Sequence, residues 1–277
     1  MKKSYHNILD LIGNTPIVKI HNLNPNKNVE IYAKLEGANP GGSIKDRTAL
    51  YMIEKALERG EFTREKTILE ASSGNTGIGL ALVAAAMGYK ITIVLSESAS
   101  DERKKTLKAL GAELILTPAH LGTDGAIEVV YEMLREHPDK YFVPDQHNNE
   151  DNILAHYHGT AEEIWRQTDN KVTMVVASLG TSGTAMGISR RLKEYKEDIQ
   201  IVGVEPYLRH TIQGLKNMKE SYRPGIFDRA CLDEKINIVD EDAFETARVL
   251  ARTEGLFVGM SSGAAMHVAL EKAREME

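Results

Sequence analysis

Lys45 is the residue of this sequence best suited to covalent chemistry. It follows Gly41-Gly42-Ser43-Ile44, and the apolar periodicity that begins after it predicts a helix that ends at Gly60. Ser43 and Asp46 resemble a capping box, which puts the lysine in the first helical turn. A cation is disfavoured at the positive end of a helix. A lysine whose ammonium form is disfavoured forms a Schiff base readily, although the segment alone favours an ordinary exposed lysine.

A second glycine-rich turn has the composition of a phosphate site. It consists of Gly180, Thr181, Ser182, Gly183 and Thr184. The glycines allow close backbone approach, the hydroxyls donate hydrogen bonds, and the helix that follows attracts anions to its N-terminus. The sequence has no G-x-G-x-x-G motif, and Leu80 stands where a P-loop that began at Gly74 would need its lysine, so both nucleotide motifs are excluded. A helix-entry turn without a ligand is the alternative.

Two further turns precede predicted helices. The segment Ser72-Ser73-Gly74-Asn75-Thr76 offers hydroxyls, an amide and backbone N–H groups, which suit a carboxylate or serve as an ordinary helix cap. The segment Gly259-Met260-Ser261-Ser262-Gly263 carries a weaker signal, because a serine-glycine turn is more often only a cap.

The elements that position these turns alternate between short β-branched runs and longer helical patterns. Such strand–turn–helix units in series predict parallel sheets covered by helices, with ligands beyond the carboxyl ends of the strands. The composition turns polar at residues 144–149. We therefore predict an α/β protein of two domains, residues 1–145 and 146–277, each built on a mainly parallel, twisted sheet.

Composition excludes several classes of function. The chain has 277 residues, of which 42% are hydrophobic and 27% charged, and its net charge of −6 gives no reason to expect nucleic-acid binding. We expect no membrane span and no signal peptide, because no apolar run is long enough. Cys231 is the single cysteine, and His156 and His158 would face different sides of a helix, so we expect neither disulfides nor a metal site. Cytoplasm is the expected location.

Five segments together resemble the pyridoxal-phosphate enzymes of the β-substituting family that includes cysteine synthase and cystathionine β-synthase. The resemblance covers nearly the whole chain, in the family's order. The segments are Ile12-Gly13-Asn14-Thr15-Pro16, Asn39 to Arg47, Ser73-Gly74-Asn75-Thr76-Gly77, Gly180 to Thr184, and Gly259 to Ala264. The resemblance implies fold type II of these enzymes, in which the first ~35 residues pack on the second domain.

The resemblance assigns a role to each motif. It implies that Lys45 forms a Schiff base with pyridoxal 5'-phosphate and moves the α-proton, that Asn75 binds the ring hydroxyl oxygen, and that Ser261 faces the pyridine nitrogen. The phosphate would be held by Gly180, Thr181, Ser182, Gly183 and Thr184. The substrate carboxylate would be held by Ser72, Ser73, Thr76 and Gln146.

The implied reaction is a β-replacement. An activated serine loses its β-substituent to leave an α-aminoacrylate, and sulfide or a thiol then adds to give L-cysteine or a relative. Family members are commonly homodimers, and some bind serine acetyltransferase. Departures from the family pattern at Ala71-Ser72, Ser96 to Ser100 and residues 147–152 lie near the substrate, so the substrate stays open. The chain also ends in its last predicted helix, without the family's closing strand.

Three alternatives accompany cysteine synthesis. A lyase or condensing enzyme would consume cysteine and release hydrogen sulfide, with serine, lanthionine or cystathionine as product, and Asp228 or Asp233 would activate the water that yields serine. An O-phosphoserine sulfhydrylase would contact the substrate phosphate through Lys216. A non-catalytic scaffold of the same fold would not need Lys45.

Overall fold

The structure is a computed structural model and describes residues 4–220 and 222–276. The strands are β1 (Ile17–Lys19), β2 (Tyr32–Lys34), β3 (Thr67–Ala71), β4 (Ile91–Ser96), β5 (Glu113–Thr117), β6 (Tyr141–Phe142), β7 (Met174–Ser178), β8 (Gln200–Pro206) and β9 (Glu234–Ile238). The α-helices are α1 (Lys45–Glu58), α2 (Asn75–Met87), α3 (Asp101–Ala109), α4 (Gly122–Glu136), α5 (Glu150–Ala155), α6 (Ala161–Gln167), α7 (Gly183–Tyr195), α8 (Asp240–Glu254) and α9 (Met260–Glu275).

The described residues form two compact units. The first comprises the chain up to Gly13 together with Glu36–Ala155, and the second comprises Asn14–Leu35 and the chain from His156 onward. The boundary thus follows Ala155 rather than residue 145, because α5 packs on α1 of the first unit. The N-terminal segment is also divided, since only residues 14–35 of the first 35 belong to the second unit.

The first unit is built on a four-stranded parallel sheet with the order β5-β4-β3-β6. Every residue of β4 is buried, as a strand covered on both faces requires. Helices α1 and α2 pack against each other beside this sheet. Their apolar faces form the core with the strands, through Met52, Ile53, Leu80, Val83, Ile68, Ile93 and Leu95.

The second unit has a three-stranded parallel sheet with the order β7-β8-β9. A separate antiparallel pair, β1 and β2, is joined by the loop at residues 20–31. Ile20 and Ile31 beside this pair pack with Leu250 of α8 and Met266 of α9. Burial of these apolar side chains explains why the early segment belongs to the second unit.

The predicted α/β fold with parallel sheets is confirmed, whereas several element boundaries differ. The apolar pattern near residues 153–167 predicts one helix, whereas the structure interrupts it with a π-helical turn, His156–Thr160. The sequence pattern predicts a helix from Ala126 to Glu136, whereas α4 begins four residues earlier, at Gly122. Strand β9 falls in a stretch whose pattern is too irregular for a prediction. No helix of the described residues combines the length and the apolar character needed to cross a bilayer.

Close packing of α8 on α9 depends on Gly263. A Cβ atom built on Gly263 would lie 2.9 Å from Ala247 Cβ and would also clash with the Ala243 carbonyl oxygen. We therefore expect Gly263→Ala to destabilise the protein by about 1–3 kcal/mol, since backbone cannot retreat as a flexible side chain can. Thermal unfolding of the purified protein measures this.

Gly259→Ser is the matched control. Nothing lies within 4 Å of a Cβ at Gly259, its φ is −73°, and serine is favoured at this cap of α9. An unchanged melting temperature for Gly263→Ala would contradict the packing argument.

Candidate active site

Lys45 is the first residue of α1 and is partly buried. Burial lowers the pKa of its ammonium group, because removal from water penalises the charged form. The lowered pKa raises the fraction of neutral amine, which is the nucleophilic form. Lys45 is therefore not the exposed lysine of the alternative interpretation, and its role as a nucleophile stays a prediction.

The predicted capping box at the start of α1 is wrong. The Ser43 hydroxyl accepts from the Lys45 N–H at 3.2 Å, and the Asp46 carboxylate accepts from the Gly41 N–H at 2.5 Å instead of closing a reciprocal pair. Asp46 is fully buried, and desolvation raises its pKa to about 6. The carboxyl group thus fixes the glycine turn that precedes Lys45.

The turn after β3 and the segment after β6 meet at one edge of the first sheet, since β3 and β6 are parallel neighbours. The Thr76 hydroxyl donates to Gln146 Oε1 at 2.6 Å, and both side chains are buried. Ser72 Oγ accepts from the Gly77 N–H at 2.9 Å, so this hydroxyl also caps α2. Asn75, the first residue of α2, is exposed. Ser73, which follows Ser72 in the same turn, is partly buried.

Glu70 lies directly behind this edge and has no counterpart in the sequence-based predictions. It is 4% exposed, and burial followed by the charge of Asp145 raises the pKa of its carboxyl to about 8. Asp145 in turn accepts from the Tyr131 hydroxyl at 3.1 Å. Burial and the neighbouring carboxylate raise the pKa of Tyr131 to about 12. Glu70 is therefore largely protonated at neutral pH.

The turn at residues 180–184 lies at the carboxyl end of β7, and α7 begins at Gly183. A Cβ on Gly180 would lie 2.5 Å from the Gly214 carbonyl oxygen, so only glycine fits there. Ser182 has a φ of +72°, which is uncommon for a non-glycine residue. Within the described part of the chain, its buried hydroxyl has no hydrogen-bond partner. An anion at the N-terminus of α7 would provide one.

His156 lies against this turn. It is buried in the π-helical turn, with Nδ1 2.9 Å from Thr160 Oγ1 and Nε2 3.2 Å from Thr184 Oγ1. Thr184 is thus oriented by a side chain 28 residues away. No sequence signal connects the two residues.

Ser261 stands in the first turn of α9 and is partly buried. Its carbonyl oxygen accepts from the Ser178 hydroxyl at 2.8 Å, at the last residue of β7. This contact brings the start of α9 to the same edge of the second sheet as the turn at residues 180–184. The weaker serine-glycine motif therefore lies beside the stronger one.

The side chains proposed to distinguish between substrates, Lys216, Asp228 and Asp233, lie in different environments. The Lys216 ammonium group pairs with the Glu220 carboxylate at 3.2 Å. The backbone N–H of Lys216 donates to the carbonyl oxygen of Leu179, the residue just before Gly180. Exposed Asp228 caps a short 3-10 turn by accepting from the Ala230 N–H at 2.9 Å.

Asp233 is not positioned for the predicted role in water activation. It pairs with Lys193 at 2.8 Å and accepts from the Ile201 N–H at 2.7 Å, near the N-terminal end of β8. That end is opposite to the edge where the turn at 180–184 begins, because β7 and β8 are parallel.

Comparisons with known proteins agree with these motifs. Residues 8–277 match the family described as pyridoxal-phosphate dependent enzyme. The chain is 48% identical to a cysteine synthase of Aquifex aeolicus, over 99% of this chain and 85% of that protein. The crystal structure of a cysteine synthase from Entamoeba histolytica has a TM-score of 0.93, with 41% identity over 98% of this chain and 83% of that one. The crystal structure of a hydrogen sulfide-producing enzyme from Fusobacterium nucleatum has a TM-score of 0.92, with 41% identity over 99% of this chain and 93% of that one.

The raised pKa of Glu70 makes a prediction about stability. The folded protein retains this proton up to about pH 8, whereas an unfolded glutamate with a pKa of 4.5 has lost it. Because the folded state then binds more protons, the free energy of unfolding falls as pH rises between these values. Glu70→Gln should remove this slope, so that the variant resembles the wild type near pH 5 and is more stable near pH 8. Denaturant titrations at several pH values measure the difference.

Glu65→Gln provides the control, because Glu65 is an exposed glutamate just before the same strand. Its effect should not grow over this pH range. A constant difference between wild type and Glu70→Gln across the range would contradict a protonated Glu70.

Proposed function

The chain belongs to the pyridoxal-phosphate-dependent enzymes, and we propose that it is a cysteine synthase that converts an activated serine and sulfide to L-cysteine. The family membership, together with the extensive identity to cysteine synthases, makes it a cysteine synthase-like β-replacement enzyme. The observation that carries the proposal is the lowered pKa of Lys45 at the start of a helix, in a chain that also has a turn with a buried, unpartnered hydroxyl at a helix N-terminus. A non-catalytic scaffold would require neither feature.

The residues present fit the cofactor. The unpartnered, buried Ser182 hydroxyl and the N-terminus of α7 suit a phosphate group, and the neutral amine of Lys45 suits a carbonyl carbon. We assign the phosphate to Gly180, Thr181, Ser182, Gly183 and Thr184. We assign the remaining cofactor contacts to Lys45, Asn75 and Ser261. When bound, the cofactor supplies an electron sink that stabilises negative charge at the substrate Cα.

The chain's own groups then have distinct tasks. We assign the substrate carboxylate to Ser72, Ser73, Thr76 and Gln146, whose hydroxyl and amide groups lie at one edge of the first sheet. The Lys45 amine would take the proton from the substrate Cα and return it after the exchange at Cβ. In the net reaction the bond from Cβ to the leaving oxygen breaks, a bond from Cβ to sulfur forms, and the carboxylate of the activating group departs.

The availability of a positively charged side chain distinguishes between the two activated serines. An O-phosphoserine substrate would need an available cation near the turn at residues 180–184. Lys216 lies beside that turn but already pairs with Glu220 at 3.2 Å. We therefore propose O-acetylserine, a neutral ester, as the substrate in preference to O-phosphoserine.

Release of hydrogen sulfide from cysteine is the second candidate. The similarity to the Fusobacterium enzyme favours this activity, because the residues that bind the amino acid would serve both cysteine synthesis and cysteine breakdown. Asp228 remains the candidate for water activation, while the pairing of Asp233 with Lys193 argues against that residue. Sulfide release from L-cysteine alone, measured beside O-acetylserine turnover, distinguishes the two activities.

The proposal extends to assembly and location. We infer a homodimer in the cytoplasm, the common state in the family, that can bind serine acetyltransferase, as some members do. Light scattering after size-exclusion chromatography tests the dimer, and co-elution with purified serine acetyltransferase tests the complex.

Replacement of Lys45 tests the proposal most directly. Lys45→Ala should lose the absorbance band of the lysine–cofactor imine and reduce cysteine formation by at least about 10³-fold, because the variant lacks the amine assigned to both roles. The visible spectrum and a cysteine assay with O-acetylserine and sulfide measure the two effects.

Lys55→Ala is the matched control on the same helix, since Lys55 pairs with Glu58 at the surface. It should retain both absorbance and activity. Wild-type protein that carries the cofactor yet forms no cysteine would overturn cysteine synthesis, whereas an unchanged imine band in Lys45→Ala would overturn the role of Lys45.

A further inference from the structure

We propose that Asn152 is a positioning residue for substrate binding, because its side-chain amide ties the backbone of Gln146 to α1, the helix that begins at Lys45. This inference rests on the proposed function, since it takes Gln146 as a ligand of the substrate carboxylate. Asn152 itself would touch neither substrate nor cofactor.

The location of Asn152 supports this role. It lies in α5, the short helix that follows the loop at residues 143–149, and α5 packs on α1. The side chain can therefore reach both the loop and α1. Asn152 is 1% exposed, and both ends of a buried amide need hydrogen-bond partners.

Two hydrogen bonds engage the two ends of this amide. Asn152 Nδ2 donates to the Gln146 carbonyl oxygen at 2.8 Å. Asn152 Oδ1 accepts from the Thr48 hydroxyl at 3.3 Å, about one turn of α1 after Lys45. Because a backbone carbonyl can only accept, the first bond fixes which end of the amide faces Gln146. The second bond then connects the same side chain to the helix that carries Lys45.

The turn that contains Gln146 depends on contacts of this kind. Asp145 has a φ of +50°, which non-glycine residues seldom adopt and which surrounding contacts must maintain. The Asp145 carbonyl oxygen accepts from the N–H groups of Asn148 and Asn149, both at 3.0 Å. These bonds close the turn on itself, whereas the bond from Asn152 attaches it to α5.

The Gln146 side chain is the group through which this attachment reaches the site. Its Oε1 accepts from the Thr76 hydroxyl at 2.6 Å, and both side chains are buried. With the carbonyl end of the side chain engaged, the amide NH2 end is the one that can donate to a carboxylate. A displaced Gln146 backbone would move this NH2 group, and a misplacement of about 1 Å can cost about 100-fold in rate.

Three substitutions separate positioning from general loosening of α5. Asn152→Ala removes both hydrogen bonds of the amide, and Thr48→Val removes only the bond to α1 at nearly constant volume. Asp151→Asn is the matched control on α5. The Asp151 carboxylate also joins α5 to α1, through its 2.6 Å pairing with Arg59 at the end of α1, but it makes this contact away from Gln146.

A double-mutant cycle on the holoenzyme tests whether Asn152 acts through Gln146. The cycle compares wild type, Asn152→Ala, Gln146→Ala and the double variant by kcat/KM for O-acetylserine, divided by the content of bound cofactor. This division removes differences in the fraction of folded enzyme. Amide hydrogen exchange of a peptide that covers residues 143–149 reports the backbone directly.

We expect Asn152→Ala to exchange faster at residues 143–149 and to lose about 10-fold in kcat/KM when Gln146 is present. In the Gln146→Ala background the further loss should stay below about twofold, because no side chain remains to be positioned. Thr48→Val should change both readouts in the same direction by a smaller factor. Asp151→Asn should match the wild type in both.

An equal loss from Asn152→Ala in the two backgrounds would overturn the inference, as would wild-type exchange at residues 143–149 in that variant. Wild-type kcat/KM in Gln146→Ala would overturn it too, by removing Gln146 from the substrate site. If Asn152→Ala fails to fold, Thr48→Val takes its place in the cycle.

Wild-type enzyme without turnover of O-acetylserine would overturn the proposed function. In that case faster exchange at residues 143–149 in Asn152→Ala, with normal exchange in Asp151→Asn, would still support the hold of Asn152 on the Gln146 backbone.

Discussion

Removal of water from a few ionisable side chains is the interaction on which the proposed chemistry depends. Burial lowers the pKa of Lys45 and raises those of Asp46 and Glu70. All three shifts favour the neutral form, because a charge loses more solvation than the protein returns. The first unit thus supplies an amine that is available as a nucleophile, a largely protonated carboxyl group at Glu70, and the Asp46 carboxyl that holds the Gly41 backbone.

Parallel strand pairing gives each unit an edge at which polar loops collect. In the first unit, β3 and β6 deliver the residues after Ala71 and after Phe142 to one place, where Thr76 meets Gln146. In the second unit, the end of β7 receives both the turn at 180–184 and the start of α9, through the contact of Ser178 with Ser261. The helices that follow these turns add dipoles that favour anions.

Several conformations at these edges are intrinsically unfavourable. Ser182 and Asp145 both have positive φ values, and Gly180 lies too close to Gly214 for any side chain. Such positions persist only where neighbouring contacts maintain them, and they concentrate at functional sites. In the second unit such support comes from outside the motifs, since His156 lies beside Thr184.

The amino-acid sequence by itself determined the class of fold and the positions of the chemical groups. Alternating β-branched and helical patterns identified the parallel α/β units, and glycine-rich turns identified Lys45, Ser72 to Thr76 and the 180–184 segment. These signals are readable because they are local: a turn's backbone and a helix start depend on adjacent residues.

Only the tertiary structure decided what supports those groups. The contacts of Thr76 with Gln146 and of Thr184 with His156 join residues 70 and 28 positions apart. The burial of Glu70, and the pairing of Asp233 far from the turn at 180–184, likewise depend on which strands become neighbours. The hydrophobic periodicity predicts that a residue is buried. Its contact partners, however, depend on the register between strands that lie far apart in the sequence.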